Sequence, residues 1–358
     1  MQRIAIVHDW LTTPGGAEQV LWSLHELYPT APIFVGFSWP EYGEKFLGAE
    51  LHQTYLQSLP RFLRRQQLVI PLLPAAFESL NLKGYDTVIS LGTGYSKGVI
   101  TFPGQRHLSY CHTPARYLWH LGGDTRNSRH FDFGLRAKAE HTLRLWDVAS
   151  ASRVDSFFAN SITTQSRIRK IYRRDSEVIY PPVNTTHYQP VIQPSRDYFL
   201  SVGRLVAYKR VDLAIEACLK TGQKLVVAGT GPEEKSLKRL AKGSTLISFI
   251  GRANNQKLAT LYANATALLF AGEEDFGIVP LEAQSAGCPV LAFGRGGAVE
   301  SVLSGETGAY FQQQSVESLT EALSSFKPIN YTPLACRQNA ERFSVKIFQE
   351  QMSKHIEK

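Results

Sequence analysis

Arg204 and Lys209 stand five residues apart, and Glu274 and Glu282 stand eight apart. A guanidinium forks around phosphate oxygens while an ammonium supplies a compact charge, so such a pair can converge on one anion. Ionised carboxylates accept hydrogen bonds and donate none, which suits two of them to hydroxyl groups. Between the two glutamates runs Asp275-Phe276-Gly277-Ile278-Val279-Pro280-Leu281. Pro280 fits the first turn of a helix, which places the amides of Gly277, Ile278 and Val279 at or just before its N-terminus, without intrahelical acceptors. Amides backed by a helix dipole favour a negative group. Cations, open amides and acids together match a ligand carrying both phosphate and hydroxyls, as a nucleotide sugar does. Glu273 and Asp275 need no such role, since acids before a helix complement its dipole.

These groups require strands to hold them. Ala267–Phe270 is an apolar run without polar alternation, ending at Gly272, and reads as a buried strand of a parallel sheet. Arg204 follows the end of a strand at 198–202, and Lys209 precedes a helix at 210–220. Further strands are expected at 224–228, 246–250, 289–292 and 308–311, with helices at 233–240 and 315–326. Gly229-Thr230-Gly231-Pro232 and Gly251-Arg252-Ala253 end two of those strands on the same side, but neither is a complete dinucleotide fingerprint. The first half repeats the rhythm of short strand, glycine turn and amphipathic helix, with strands at 3–8, 32–37, 86–91, 106–111, 156–159 and 177–180. This is the pattern of doubly wound α/β domains. Its first strand ends in His8-Asp9-Trp10 and leads to Pro14-Gly15-Gly16-Ala17-Glu18 at the start of a helix reaching about Tyr28. Two glycines there allow close approach of a ligand or simply a tight turn. Gly92-Thr93-Gly94 is a similar turn with no second signal. His112 follows another strand, in Cys111-His112-Thr113-Pro114-Ala115-Arg116. Ser161 is placed to cap the helix after 156–159. Pro181-Pro182 stiffens a connection between the halves and cannot extend a ladder.

Glu-x7-Glu enclosing Phe-Gly, followed by Glu-Ala-x-x-Ala-Gly-x-Pro-Val and Gly296-Gly297, resembles the signature of family 4 glycosyltransferases. Gly-Arg-Leu-x-x-x-Lys at 203–209 resembles that family's diphosphate-binding pair, with Arg210 where members often carry glycine. The likeness spans nearly the whole chain and implies the GT-B fold: two Rossmann-like α/β domains across a cleft. It places a first, acceptor domain at 1–184, completed by a C-terminal helix at 339–358, and a donor domain at 185–338. By resemblance, Glu274 faces the donor sugar hydroxyls, Glu282 holds the ribose, and Gly203, Arg204 and Lys209 hold the diphosphate. Phe276 to Val279 line the donor site, and Gly251 and Arg252 frame the base through their backbone. Gly15 and Gly16 face the donor phosphate and the acceptor, and His112 reaches the donor sugar. The implied reaction is hexosyl transfer with retention of configuration. UDP-glucose is the expected donor, and GDP-mannose is the alternative.

Composition limits the remaining readings. A chain of 358 residues exceeds the usual single core, and 43% hydrophobic with 20% charged residues is that of a soluble globular protein. The longest apolar candidate, 68–77, is broken by Pro71 and Pro74 and is far too short to span a bilayer. The first residues enter a strand without a secretory pattern, so cytoplasmic residence is the expectation. Cysteines at 111, 218, 288 and 336 lack zinc or disulfide spacing. No Asp-x-Asp occurs, so no metal cofactor is expected. The net charge of +8 is nearly all in 126–174, with 11 basic and 4 acidic residues. Its basic amphipathic pattern suits an anionic membrane surface and a lipid-linked saccharide acceptor. Nucleic acid is not expected, because no groove of interleaved aromatics and cations is evident. An epimerase of the same fold and a non-catalytic nucleotide-sugar binder remain as competing classes.

Overall fold

The computed structural model describes residues 2–12, 15–40, 48–64, 66–121, 134–191 and 194–357. They form two compact units, one of Met1–Pro182 with Phe348–Lys358 and one of Val183–Ile347.

The first unit is built on seven parallel strands: β1 Ile4–His8, β2 Ile33–Val35, β3 Leu51–Gln53, β4 Thr87–Gly92, β5 Arg106–Cys111, β6 Ser156–Ala159 and β7 Ser176–Val178, in the order β3-β2-β1-β4-β5-β6-β7. Successive residues serve opposite cores. Ile6, Ile89 and Leu91 join one buried cluster, while Ala5, Val7 and Val88 join the other. Burial on both faces is why the strands read as unbroken apolar runs. The edge strand β3 was not expected, because Leu-His-Gln is short, half-exposed and shows neither an apolar run nor alternation. The helix Val345–Ile356 packs Phe348, Met352 and Ile356 onto this sheet beside Tyr110, Phe158 and Ile179. Arg106 fastens its end by donating to the carbonyls of His355 and Ile356 at 2.8 and 3.3 Å.

The second unit has six parallel strands: β8 Phe199–Val202, β9 Leu225–Ala228, β10 Ile247–Gly251, β11 Ala267–Phe270, β12 Val290–Phe293 and β13 Gly308–Phe311, in the order β10-β9-β8-β11-β12-β13. Here too Leu269 and Leu291 face one core and Leu268 and Val290 the other. All four cysteines are buried and unbridged, and burial pushes their thiols well above the ordinary value. Among the described residues no helix is long and apolar enough to cross a membrane.

The basic segment begins outside the described residues, which resume at Gly134. Within the helix Leu135–Ala151, Glu140 accepts from both Arg136 and Arg144, at 2.8 and 3.3 Å. Arg153 meets Glu78 at 2.6 Å, and Arg174 donates to the carbonyls of Ala151 and Val154. Arg144, Arg153 and Arg174 are thus tied to the fold, whereas Lys138, Arg169, Lys170 and Arg173 are exposed.

Candidate functional site

In the second sheet the strand order reverses between neighbours β8 and β11: one leads to β9 and β10, the other to β12 and β13. Loops leaving the carboxyl ends of such a pair diverge, and the crevice between them is where open α/β sheets hold ligands. The loop after β8 carries Gly203, Arg204 and Lys209, and the loop after β11 carries Glu274. The structure joins them, because Lys209 Nζ donates to Glu274 Oε1 with both side chains largely buried. Gly272 makes the approach possible. A Cβ there would stand 2.7 Å from the Tyr208 carbonyl oxygen and 2.9 Å from Lys209 Cα. The ammonium lies over bare backbone, since a Cβ on Gly203 would be 3.8 Å from Lys209 Nζ. Arg204 is exposed on the same loop, and among the described residues no acceptor takes its guanidinium.

Glu274 is held from behind by the turn that follows β12. Its carbonyl accepts the Gly297 amide at 2.8 Å, and a Cβ on Gly297 would stand 2.1 Å from Phe276 Cα. The double glycine is thus a packing requirement of the acidic loop. The helix that follows, Val279–Ser285, carries Pro280 in its first turn. Among the described residues no acceptor takes the amides of Gly277, Ile278 or Val279. Phe276 is buried with its ring 5.7 Å from that of Phe343, so it offers a ligand backbone rather than ring. Glu282 lies one turn into the helix, buried, and its Oε2 accepts from the Tyr262 hydroxyl at 3.1 Å. Burial and the neighbouring Glu282 raise the Tyr262 phenol well above its ordinary value, so this hydroxyl stays a donor. Gly251 ends β10 at the sheet edge, where its carbonyl accepts the Gly229 amide at 2.8 Å, and Arg252 beside it is exposed.

The first unit reverses its strand order between β1 and β4. Past the end of β1, Gly15 caps the helix Gly16–Leu27 in an extended conformation, and Pro14 lies outside the described residues. Asp9 is buried and spends its carboxylate on the turn after β4, accepting from the amides of Thr93 and Ser96 at 2.7 Å each. His112 follows β5 with its amide donating to the Gly92 carbonyl at 3.0 Å. Its ring is buried edge-on to Tyr110, and Nε2 finds no partner among the described residues. Burial, aided by the nearby His8, pushes the His112 imidazole down to about 3. The ring is therefore neutral at physiological pH. The Nδ1 of His8 is also buried without a partner, and its Nε2 lies 3.8 Å from Glu18.

Residues 184–343 match the family of group 1 glycosyl transferases. The α-1,3/1,6-mannosyltransferase ALG2 of Homo sapiens is 28% identical over 287 residues, 70% of this chain and 67% of its own. The D-inositol 3-phosphate glycosyltransferase of Mycolicibacterium paratuberculosis is 28% identical over 193 residues, 47% of this chain and 44% of its own. Sucrose-phosphate synthase from Thermosynechococcus elongatus superimposes with a TM-score of 0.79 at 18% identity, covering 100% of this chain and 98% of that one. Anabaena HepE in complex with UDP-glucose gives 0.73 at 18% identity over 99% of each chain. The chain is a glycosyltransferase. Its two parallel-sheet α/β domains are those of the GT-B fold.

Two features of this glycosyltransferase were not legible beforehand. Tyr262 sits on the helix Asn255–Asn264, where an aromatic residue reads as core, and only the fold shows that its hydroxyl reaches Glu282. Arg210, standing where the resembling family often has glycine, adopts φ 52 and ψ 40, the left-handed conformation glycine takes without cost. Its guanidinium turns onto Asp212, with contacts of 2.9 to 3.1 Å, so the loop keeps a glycine-type shape under an arginine.

Proposed function

We propose that this glycosyltransferase moves a hexosyl group from a nucleoside diphosphate sugar to a saccharide acceptor, lipid-linked and used in polysaccharide assembly, with retention and without a bound metal. The observation that carries the reading is the Lys209–Glu274 pair, which joins the two loops flanking the reversal of strand order. Departure of the nucleoside diphosphate builds negative charge on its outer phosphate. Arg204, Lys209 and the amides at 277–279 are suited to stabilise that charge as it develops, which is where stabilisation accelerates the reaction. An ammonium has three donor protons, so Lys209 can position Glu274 and still serve a phosphate. Glu274 then accepts from hydroxyls of the transferred sugar, and Glu282 accepts from the ribose.

The mannosyltransferase name of the ALG2 relatives, alike over most of this chain, favours GDP-mannose as donor. UDP-glucose, expected because UDP-hexoses are the commonest donors of the resembling family, is the second reading. The test is nucleotide release and sugar transfer with purified protein against a panel of GDP- and UDP-hexoses in the presence of chelator. Turnover of one donor with an unchanged anomeric configuration in the product, read by NMR, is expected. Absence of transfer from every donor, an epimerised product, or activity that returns only with a divalent ion would overturn the corresponding part of the reading.

A further inference from the structure

We propose that Tyr55, Phe62, Leu63, Leu68 and Leu72 of the first unit form a seat for an anionic lipid bilayer. Tyr55, Phe62, Leu63, Leu68 and Leu72 are 37 to 66% exposed. Of the 15 large apolar residues exposed among those described, these five fall within 18 positions while the other ten are scattered. Isolated exposed apolar residues need no explanation, whereas a concentration of them marks an interaction surface. The Tyr55 hydroxyl donates to the Leu72 carbonyl at 3.4 Å, which brings the two ends of the stretch together.

Charge decides what such a face would meet. From Leu51 to Phe77 the sequence has three arginines and no acidic residue. Arg61, exposed, stacks its guanidinium 4.2 Å from the centre of the Trp39 ring, and Arg64 donates to the Ser38 carbonyl at 3.2 Å. Both cations are thus anchored beside the apolar residues. Aromatic and leucine side chains enter the boundary between headgroups and acyl chains, and arginines meet the anionic headgroups above it. The charge excess at 126–174 is the weaker candidate, because Arg144, Arg153 and Arg174 are engaged within the fold and only Leu145, Val148 and Ile162 are exposed large apolar residues among those described there.

The inference is independent of the donor, and its test uses no nucleotide sugar. The 358-residue chain is sedimented with vesicles of phosphatidylcholine alone and with vesicles containing about one-third phosphatidylglycerol. Wild type is expected to pellet with the anionic vesicles. The doubly substituted Phe62→Ser/Leu63→Ser chain should lose about fivefold or more of its bound fraction, and Arg61→Gln should reduce the preference for anionic lipid. Leu145→Ser, on the helix Leu135–Ala151, should bind as wild type. Circular dichroism checks that all three variants fold, as expected for exposed positions. Wild type remaining in the supernatant, undiminished binding by the double variant, or loss of binding through Leu145→Ser alone would overturn the proposal. So would a wild-type dimer in sedimentation velocity that the double variant abolishes without changing vesicle binding.

Discussion

Both units reverse their strand order at one point, yet the two points are furnished differently. In the second unit a lysine and a glutamate reach across the reversal, an arginine stands exposed beside them, and three amides lack acceptors among the described residues. In the first, Asp9 is consumed in bracing the backbone amides of Thr93 and Ser96, Glu18 lies 3.8 Å from His8, and the His112 nitrogen left without a partner among the described residues belongs to a neutral imidazole. The same topology therefore gives one place equipped for a charged ligand and another equipped for neutral hydrogen bonding. Fold supplies a location, and residues past the strand ends decide its chemistry.

The largest expected effect breaks the charged side of that comparison. Lys209→Ala removes a charge-assisted contact worth about 1.5 to 3 kcal/mol and leaves Glu274 unpaired in a mostly buried setting. Transfer, measured as kcat/KM, should fall about tenfold to a hundredfold or more, at roughly 1.4 kcal/mol per factor of ten. Combining it with Glu274→Gln measures whether the two act as a unit. Strict additivity, or full activity of Lys209→Ala, would remove the pair from the mechanism. A smaller loss is expected from Tyr262→Phe, which deletes one donor to Glu282 without changing shape. If Tyr262 positions Glu282 for the donor, KM for the nucleotide sugar rises several-fold, on the order of 1 kcal/mol, while kcat holds. A melting temperature that drops with no change in KM would make the contact purely structural.

The neutral side is tested through pH. Burial holds His112 near 3 and His107 near 4, both below the ordinary imidazole value of 6.5. Between those values and 6.5 the unfolded chain binds protons that the folded chain does not, so stability is full above pH 6.5 and declines as pH falls. Each histidine contributes up to about 1.4 kcal/mol per pH unit to that slope. Denaturant unfolding between pH 6.5 and 5 should show it, and His112→Gln should flatten it. An unchanged slope would mean that His112 is not held neutral by the fold.

How much of this was visible in the sequence follows from what each feature depends on. Strands buried on both faces announce themselves as apolar runs, so twelve of the thirteen among the described residues were placed, while β3, three half-exposed residues, was not. The acids and cations of the site were visible as types at fixed spacing. That Lys209 pairs with Glu274 was not, because it requires β8 and β11 to be neighbours, and strand order is not a local property. Gly296 and Gly297 stand in the sequence only as the end of the family signature, and the fold shows that they are needed to pack the acidic loop closely.

The smallest effect concerns Arg210, where local preference and fold disagree. A left-handed non-glycine residue costs about 1 to 2 kcal/mol, and the partly exposed Arg210–Asp212 fork returns about 1 at most. Arg210→Gly removes the strain and the fork together, so its stability should lie within about 1 kcal/mol of wild type, with transfer preserved. Arg210→Ala keeps the strain and loses the fork, and should be the less stable of the two. Chemical denaturation of the pair isolates the backbone contribution from the ion pair. An alanine variant as stable as the glycine variant would show that the loop does not hold the left-handed shape, and the positions of Lys209 and Glu274 would then need another support.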